Sequence, residues 1–449
     1  VASPTHRRSR ARRRTALFSA AAVVAAGLAA VPFVTSASAA ADLARQTLPA
    51  RDGWAAAGSG TTGGAAADAA RDFTVTNRAE LAKALSAPGT APRIIRVKGL
   101  IDANGGSTCA DYAAGTGYSL SAYLKAYDPA VWGRSKKPSG TQEDARKAAA
   151  ARQAKNIVFR VPSHTTLVGV PGTGAGIKGG SVAVQNADNV IIRNLAFSAT
   201  EDCFPQWDPT DGSKGEWNSA YDSVTLRGAT HVWADHNTFT DTPLHDSALP
   251  AYFGRKYQVH DGALDITNGS DLVTVERNVF YSHDKTMLIG SSDTDSVGKL
   301  RVTLHHNVFR GITQRAPLAR IGQIHLYNNH YDTAKVNGYA HSYSVNARAG
   351  AQIVAEYNAW TLSSDRKVSQ LLSGDGTGAV AGRGNTVDGA VTDVVAAYNA
   401  SASKKLKTTV NWTPALTAGL QTSAAALPAE LDRTAGAGVL TQQGTTARR

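Results

Sequence analysis

Cysteine is nearly missing from this sequence: its 449 residues hold two, Cys109 and Cys203, alongside a single methionine. A metal centre built on two thiols would lack its other ligands, so that class of site is set aside. In a chain that folds outside the cytoplasm the pair is expected to form a disulfide, two free thiols being the alternative. Long apolar runs are equally scarce. After residue 34 no segment is apolar enough to cross a membrane, so no membrane partner is expected. Basic residues form no long run beyond the first forty positions, which argues against nucleic acid. Aromatic residues thin out in the tail from about 395 to 449, which is too short and too poor in them for a separate carbohydrate-binding domain. That tail is expected to pack along the main fold.

What is present begins with a targeting pattern. Six arginines between Arg7 and Arg14 precede an Ala/Val-rich run from Ala16 to Val34 and then TSASAA, the layout of a secretory signal over residues 1–40. RRRTAL within it is compatible with the twin-arginine route. Cleavage near Ala39 or Ala40 removes those six arginines and no acid, so the formal charge falls from +12 to +6. A secreted, extracellular and mildly basic protein suits an acidic polymer as partner. Residues 41–70, rich in Ala, Gly, Ser and Thr, read as a flexible lead-in, and residues 71–449 as one domain. Asn77 is placed to cap a short helix in TNRAELAKAL, and a second helix is expected from Thr141 to about Lys155.

Aligning the chain on asparagine exposes a repeat: NVIIRNLAF, HVWADHNTF, LVTVERNVF, RVTLHHNVF, QIHLYNNHY and QIVAEYNAW. Its asparagines are 194, 237, 278, 307, 329 and 358, spaced 43, 41, 29, 22 and 29 apart. The shortest gap accommodates one coil of three short strands and three bends, at roughly 3.3 Å per strand residue. Longer gaps are the same coil with loops inserted. Apolar alternation changes parity at the Asn, which calls for a bend there, and Asn tolerates the left-handed conformation of a bend. The reading is an all-β fold: a right-handed parallel β-helix with short N-terminal helices and an asparagine ladder, its hand taken from the general rule for parallel crossovers. Leucine-rich solenoids are excluded for want of their leucine spacing. A β-sandwich with coincidental turns fits six occurrences poorly.

Counting back from the next ladder Asn gives each charged residue a phase. Asp222 lies 15 before Asn237, Asp265 lies 13 before Asn278, and Arg315 lies 14 before Asn329. Lys285 lies 22 before Asn307, but the polar stretch SSDTDSVG accounts for the seven residues by which that coil exceeds the minimal one, leaving 15. With rungs about 4.8 Å apart, two aspartates, a lysine and an arginine line one face. Asp261 joins Asp265 around one cation only if the strand breaks, and Gly262 supplies the bend. Three carboxylates with no imidazole or thiolate fit Ca²⁺ best.

Several stretches carry a family resemblance: FPQWDPTDG, WNSAYDS, VWADH, YFGRKYQVHDGALDI, SHDKTMLIGSSD and TQRAPLARIG. Together, from about residue 72 to 370, they resemble the secreted pectate lyases of polysaccharide lyase family 1. The resemblance implies Ca²⁺ ligation by Asp222, Asp261 and Asp265, proton abstraction by Arg315, and capture of the substrate carboxylate by Lys285 and Arg320. It implies a monomeric enzyme that cleaves polygalacturonate, an acidic plant cell-wall polysaccharide, by β-elimination. Because arginine is ordinarily protonated, an arginine base implies an alkaline optimum. Leu318 stands where close relatives often carry a further arginine, and Ala234 replaces a larger apolar residue; neither is required by the chemistry.

Rival readings are a pectin lyase acting on methylated polymer without Ca²⁺, a β-helix hydrolase, and a noncatalytic polyuronate-binding β-helix. The three aspartates oppose the first. A hydrolase needs paired carboxylates as acid and base, which the basic stripe does not supply. Elsewhere, His236 with Asp235 reads as a structural hydrogen bond. Of His305 and His306, one is expected inside and the other exposed, with no third ligand for a metal. Phe239, Phe280 and Phe309 read as a core column, and Asp293 and Asp295 as a solvated loop.

Overall fold

Each repeat segment forms a strand up to its asparagine, turns, and continues as a second strand, so successive coils pair in parallel rather than as hairpins. In a computed structural model of the chain, which describes Val1, residues 42–296 and 298–441, and the backbone of 444–445, the strands form three long sheets. The chain divides into two units, residues 1–39 and 40–449, and the second holds every strand and helix described here. The expected signal at 1–40 lies, Val1 aside, outside the described residues.

One ten-stranded sheet runs from Asp72–Val75 to Ala379–Arg383 and contains the strands that precede the ladder asparagines. A second ten-stranded sheet runs from Leu100–Asp102 to Ala390–Val391 and contains the strands that follow them. An eight-stranded sheet, from Val158–Arg160 to Leu372–Gly374, closes the coil. Registers such as Val232↔Val273 and Val273↔Val302 keep apolar residues inward on every rung. The fold is a right-handed parallel β-helix. Among the described residues, no helix is long and apolar enough to cross a membrane.

The ladder exists, with a displaced bend. Asn237, Asn278, Asn307 and Asn329 each donate a side-chain hydrogen bond to the next ladder asparagine, at 2.9–3.1 Å. The series runs one rung further than the repeat, to Asn385. The left-handed residue is usually not the ladder Asn but the one before it: His236 (φ 52°), Arg277 (48°), His306 (54°), Asn328 (51°) and Tyr357 (52°). Asn194 (57°), expected as the first ladder residue, instead holds the bend position: Arg193 pairs with Asp235, so Leu195 takes the ladder place and donates its N–H to Asn237 Oδ1 at 3.1 Å, while the Asn194 amide donates to the Gly169 carbonyl at 2.9 Å. The amide serves the hydrogen-bond column, and the preceding residue absorbs the turn.

Beside the ladder, Phe197, Phe239, Phe280, Phe309, Tyr331 and Trp360 stack with centroids 4.7–5.1 Å apart and nearly parallel planes. Cys109 and Cys203 are bonded, tying the short helix Cys109–Ala113 to the coil. Asn77 caps Arg78–Leu85 by accepting from the Glu80 N–H, and the second expected helix spans Thr141–Ile157.

Residues 42–70, expected as a loose lead-in, lie against the first ten-stranded sheet. Leu43 and Ala44 pack with Ile94 and Val168, and the backbone amides of Trp54 and Ala55 donate to Thr303 and Thr274. Gly64 fits because a Cβ there would stand 1.9 Å from the Arg93 carbonyl. Small residues at this point allow close approach rather than looseness. The tail crosses the helix too: Leu431, in Leu427–Thr434, packs on Val308.

Candidate functional site

The charged stripe follows from strand register. Gly262 bridges Lys285, and Lys285 pairs with Gln314, the residue before Arg315. Asp222 lies one rung earlier, where its Oδ1 accepts the Gly262 N–H at 2.9 Å. Thr225 pairs with Asp265, and the Asp265 carboxylate accepts the Leu288 N–H at 2.9 Å. Arg320 pairs with Arg348 on the following rung. Asp222, Asp265, Lys285, Arg315 and Arg320 therefore run along one face in the order acid, acid, cation.

Two carboxylates are forced together at Gly262. A Cβ there would lie 2.4 Å from Asp265 Oδ1 and 2.8 Å from Asp222 Oδ1, so no larger residue fits between them. Both acids are buried, at 9% and 7% exposure. Burial, reinforced by the Asp261 charge, pushes the Asp222 carboxyl up to about 7. Burial and then the charges of Asp222 and Asp261 raise Asp265 well above the ordinary carboxylate range. Such a pair is short of positive charge. Its oxygen-only donors and its crowding fit a hard divalent cation such as Ca²⁺. Asp261 is not closed into the pair: Lys285 Nζ holds its Oδ1 at 3.4 Å. Its charge nevertheless acts on both buried acids.

Arg315 has φ 63°, the left-handed region that a bulky side chain seldom adopts, and is followed by a cis Ala316–Pro317 peptide. Its Nε is buried with no hydrogen-bond partner among the described residues. Arg320 donates to the Gly290 carbonyl at 3.1 Å and to Asp293 at 3.0 Å. Burial, then the neighbouring Arg348 charge, lowers the Arg320 guanidinium from its ordinary value.

Sequence reasoning missed Arg348, which shares Asp293 with Arg320 at 3.4 Å. Its phase was available, since Arg348 lies ten before Asn358 and Arg320 nine before Asn329. Asp293 is exposed but paired, whereas Asp295, expected in solvent, is 7% exposed. Its carboxylate accepts the N–H groups of Asn268, Gly269, Ser291 and Ser296, and these bonds outweigh burial to lower it to about 2. Asp235 and His236 are hydrogen-bonded to each other, as expected of a structural pair. His305 and His306 are both buried, at 1% and 2%, because the lead-in and tail cover that sheet.

A family profile described as pectate lyase matches residues 20–121 and 136–438. The chain is 44% identical over 396 residues to a pectate lyase of Bacillus subtilis (strain 168), covering 86% of this chain and 91% of that one. It is 36% identical over 352 residues to pectate lyase E of Dickeya dadantii (strain 3937), covering 77% and 76%. Among solved structures, a thermostable pectate lyase, PL 47, superposes with TM-score 0.84 at 41% identity, over 88% of this chain and 99% of that one. A pectate lyase bound to a hexasaccharide superposes at 0.83 and 40% identity, over 89% and 99%.

Proposed function

Since the chain belongs to the pectate lyase family, we propose that it cleaves polygalacturonate by calcium-assisted β-elimination, with Arg315 abstracting the C5 proton. The protein is a polysaccharide lyase. The observation that carries the finer reading is the buried Asp222–Asp265 pair around Gly262, with Lys285 and Arg315 on the rungs that follow.

A galacturonate unit carries a carboxylate beside C5 and a glycosidic oxygen on C4. Removing the C5 proton expels that oxygen, and the barrier lies in the negative charge that spreads into the carboxylate. Bound between Asp222 and Asp265, with Asp261 turned in, Ca²⁺ would supply Lewis-acid neutralisation of that charge. Lys285 places its ammonium beside the same carboxylate, where a preorganised charge is worth most. Arg320 holds the substrate by charge-assisted hydrogen bonds once the sugar carboxylate replaces Asp293. That exchange costs little, because Asp293 is 54% exposed and such pairs are weak. Arg315 accepts the proton through its guanidine, a step any arginine performs only in its deprotonated form. Solvent protonates the leaving oxygen.

The protein is proposed to act as a secreted monomer, in keeping with its disulfide and its export-like first forty residues. Product analysis separates the readings. Polygalacturonate should yield ultraviolet-absorbing unsaturated ends that disappear with chelator. Reducing ends without absorbance would indicate hydrolysis, product from methylated pectin without Ca²⁺ would indicate a pectin lyase, and binding without product would indicate a noncatalytic module.

A further inference from the structure

On the sheet that carries the lead-in, away from the acidic and basic stripe, Asp52, Glu276 and His305 bring one ligand atom each to within 4.8 Å of one another. They are the only such trio among the described residues. We propose that this trio is a structural binding site for a divalent transition-metal ion of the zinc type, which pins the lead-in to the β-helix.

Three observations point there. His305 is 1% exposed, and its Nε2 has no hydrogen-bond partner among the described residues. That atom faces Asp52 Oδ1 at 3.4 Å and Glu276 Oε2 at 4.0 Å. Tetrahedral ligands about 2.1 Å from zinc stand about 3.4 Å apart, so small adjustments close the set around an ion. The other ring nitrogen, Nδ1, lies 3.0 Å from His306 Nδ1. If His305 donates that bond, its Nε2 carries the lone pair a metal needs, the tautomer being set by the partner of the opposite nitrogen.

The space above the trio is kept by glycine. A Cβ at Gly419 would meet Asp52 Oδ1 at 3.1 Å, the Tyr327 hydroxyl at 3.5 Å and His305 Cε1 at 3.8 Å, so the absent side chain leaves room over these donors. Gly53, next to Asp52, lies so close to the sheet that a Cβ would stand 2.5 Å from Thr274 Oγ1. Asp52 is therefore presented by a segment pressed across the strands Asp271–Glu276 and Arg301–His305.

The charges around the trio agree. Glu276 Oε1 faces Arg277 Nε at 3.6 Å, but Arg277 is shared with Glu430 at 3.6 Å, and Asp235 on the preceding rung is held by Arg193 at 2.6 Å. Among the described residues no Lys or Arg forms an ion pair with Asp52, whose one such contact is His305, and the single nearby guanidinium, Arg277, is spread over Glu276 and Glu430. One imidazole with two carboxylates selects zinc-like ions over Ca²⁺, which prefers oxygen donors throughout.

The test uses the full chain, stripped with chelator, reloaded with Zn²⁺ and passed through gel filtration. One zinc per chain should remain in the parent and in Asp265→Asn, and be lost in Asp52→Asn. Zinc should raise the thermal midpoint of the parent and leave that of Asp52→Asn unmoved. Failure of the parent to retain zinc, retention unchanged in Asp52→Asn, or loss confined to Asp265→Asn overturns the proposal. Should Asp52→Asn not fold, zinc-edge absorption spectroscopy on the parent decides: imidazole scattering supports the site, and an oxygen-only shell overturns it.

Discussion

Gly262 separates two buried carboxylates that its own missing side chain allows to approach, and this is the most exacting contact in the groove. In Gly262→Ala the new Cβ meets Asp265 Oδ1 at 2.4 Å, so the acids must part. The expected outcome is a rise of at least tenfold in the Ca²⁺ concentration that supports half-maximal activity, with an unchanged far-ultraviolet circular dichroism spectrum; an unaltered Ca²⁺ requirement would contradict the account. In the sequence Gly262 is legible only as a bend between Asp261 and Asp265. Its crowding is not, because the second carboxylate comes from Asp222, forty residues earlier. Asp295 was misplaced for a similar reason: its neighbours suggest a polar loop, while the four amides that bind it are fixed only by the folded coil.

At the level of elements, the ladder strand-turn-strand unit was readable because one apolar pattern closed by asparagine recurs from Asn237 to Asn358; on the first rung the asparagine is shifted by one, to Asn194, and Leu195 holds the ladder position. Asn307 shows what the unit needs. Its Oδ1 accepts from the backbone and side chain of Asn278 at 2.9 and 3.1 Å, and its Nδ2 donates to Val275 and Asn329, both at 2.9 Å. Asn307→Ala leaves buried partners unsatisfied on both neighbouring rungs, which should cost about 2–4 kcal/mol. Urea denaturation checks this; a loss below about 0.5 kcal/mol would mean that the ladder is incidental. The bend before the asparagine was not readable, since Arg277 and Tyr357 are residue types with no strong claim on the left-handed region. Backbone geometry imposes it on them.

Across the whole molecule, what the sequence hides is contact between distant segments. Asp52 reaches Glu276 and His305 through a lead-in whose composition suggests looseness, and nothing in its alanines and glycines announces the sheet beneath. The coil itself, by contrast, is periodic, so the order of Asp222, Asp265, Lys285 and Arg315 could be counted. Burial on this scale also governs acid stability. His341 is 3% exposed, and burial, then the Arg366 charge, lowers its imidazole to about 4. Below its ordinary value near 6.5 the unfolded chain binds a proton there that the folded chain does not. Its contribution to stability is therefore full above about 6.5 and declines as pH falls toward 4. The raised Asp222 and Asp265 have the opposite sign, so the difference between the parent and His341→Gln is the clean quantity. That difference should shift in favour of the variant as pH drops through the window; a difference constant with pH would contradict the assignment.

The proton-abstracting role proposed for Arg315 is the centre of the account, and kcat on polygalacturonate for Arg315→Ala tests it most directly. The account predicts a fall of about 10²–10⁴-fold at alkaline pH and saturating Ca²⁺, with KM little changed. A variant retaining kcat within about threefold of the parent would contradict it.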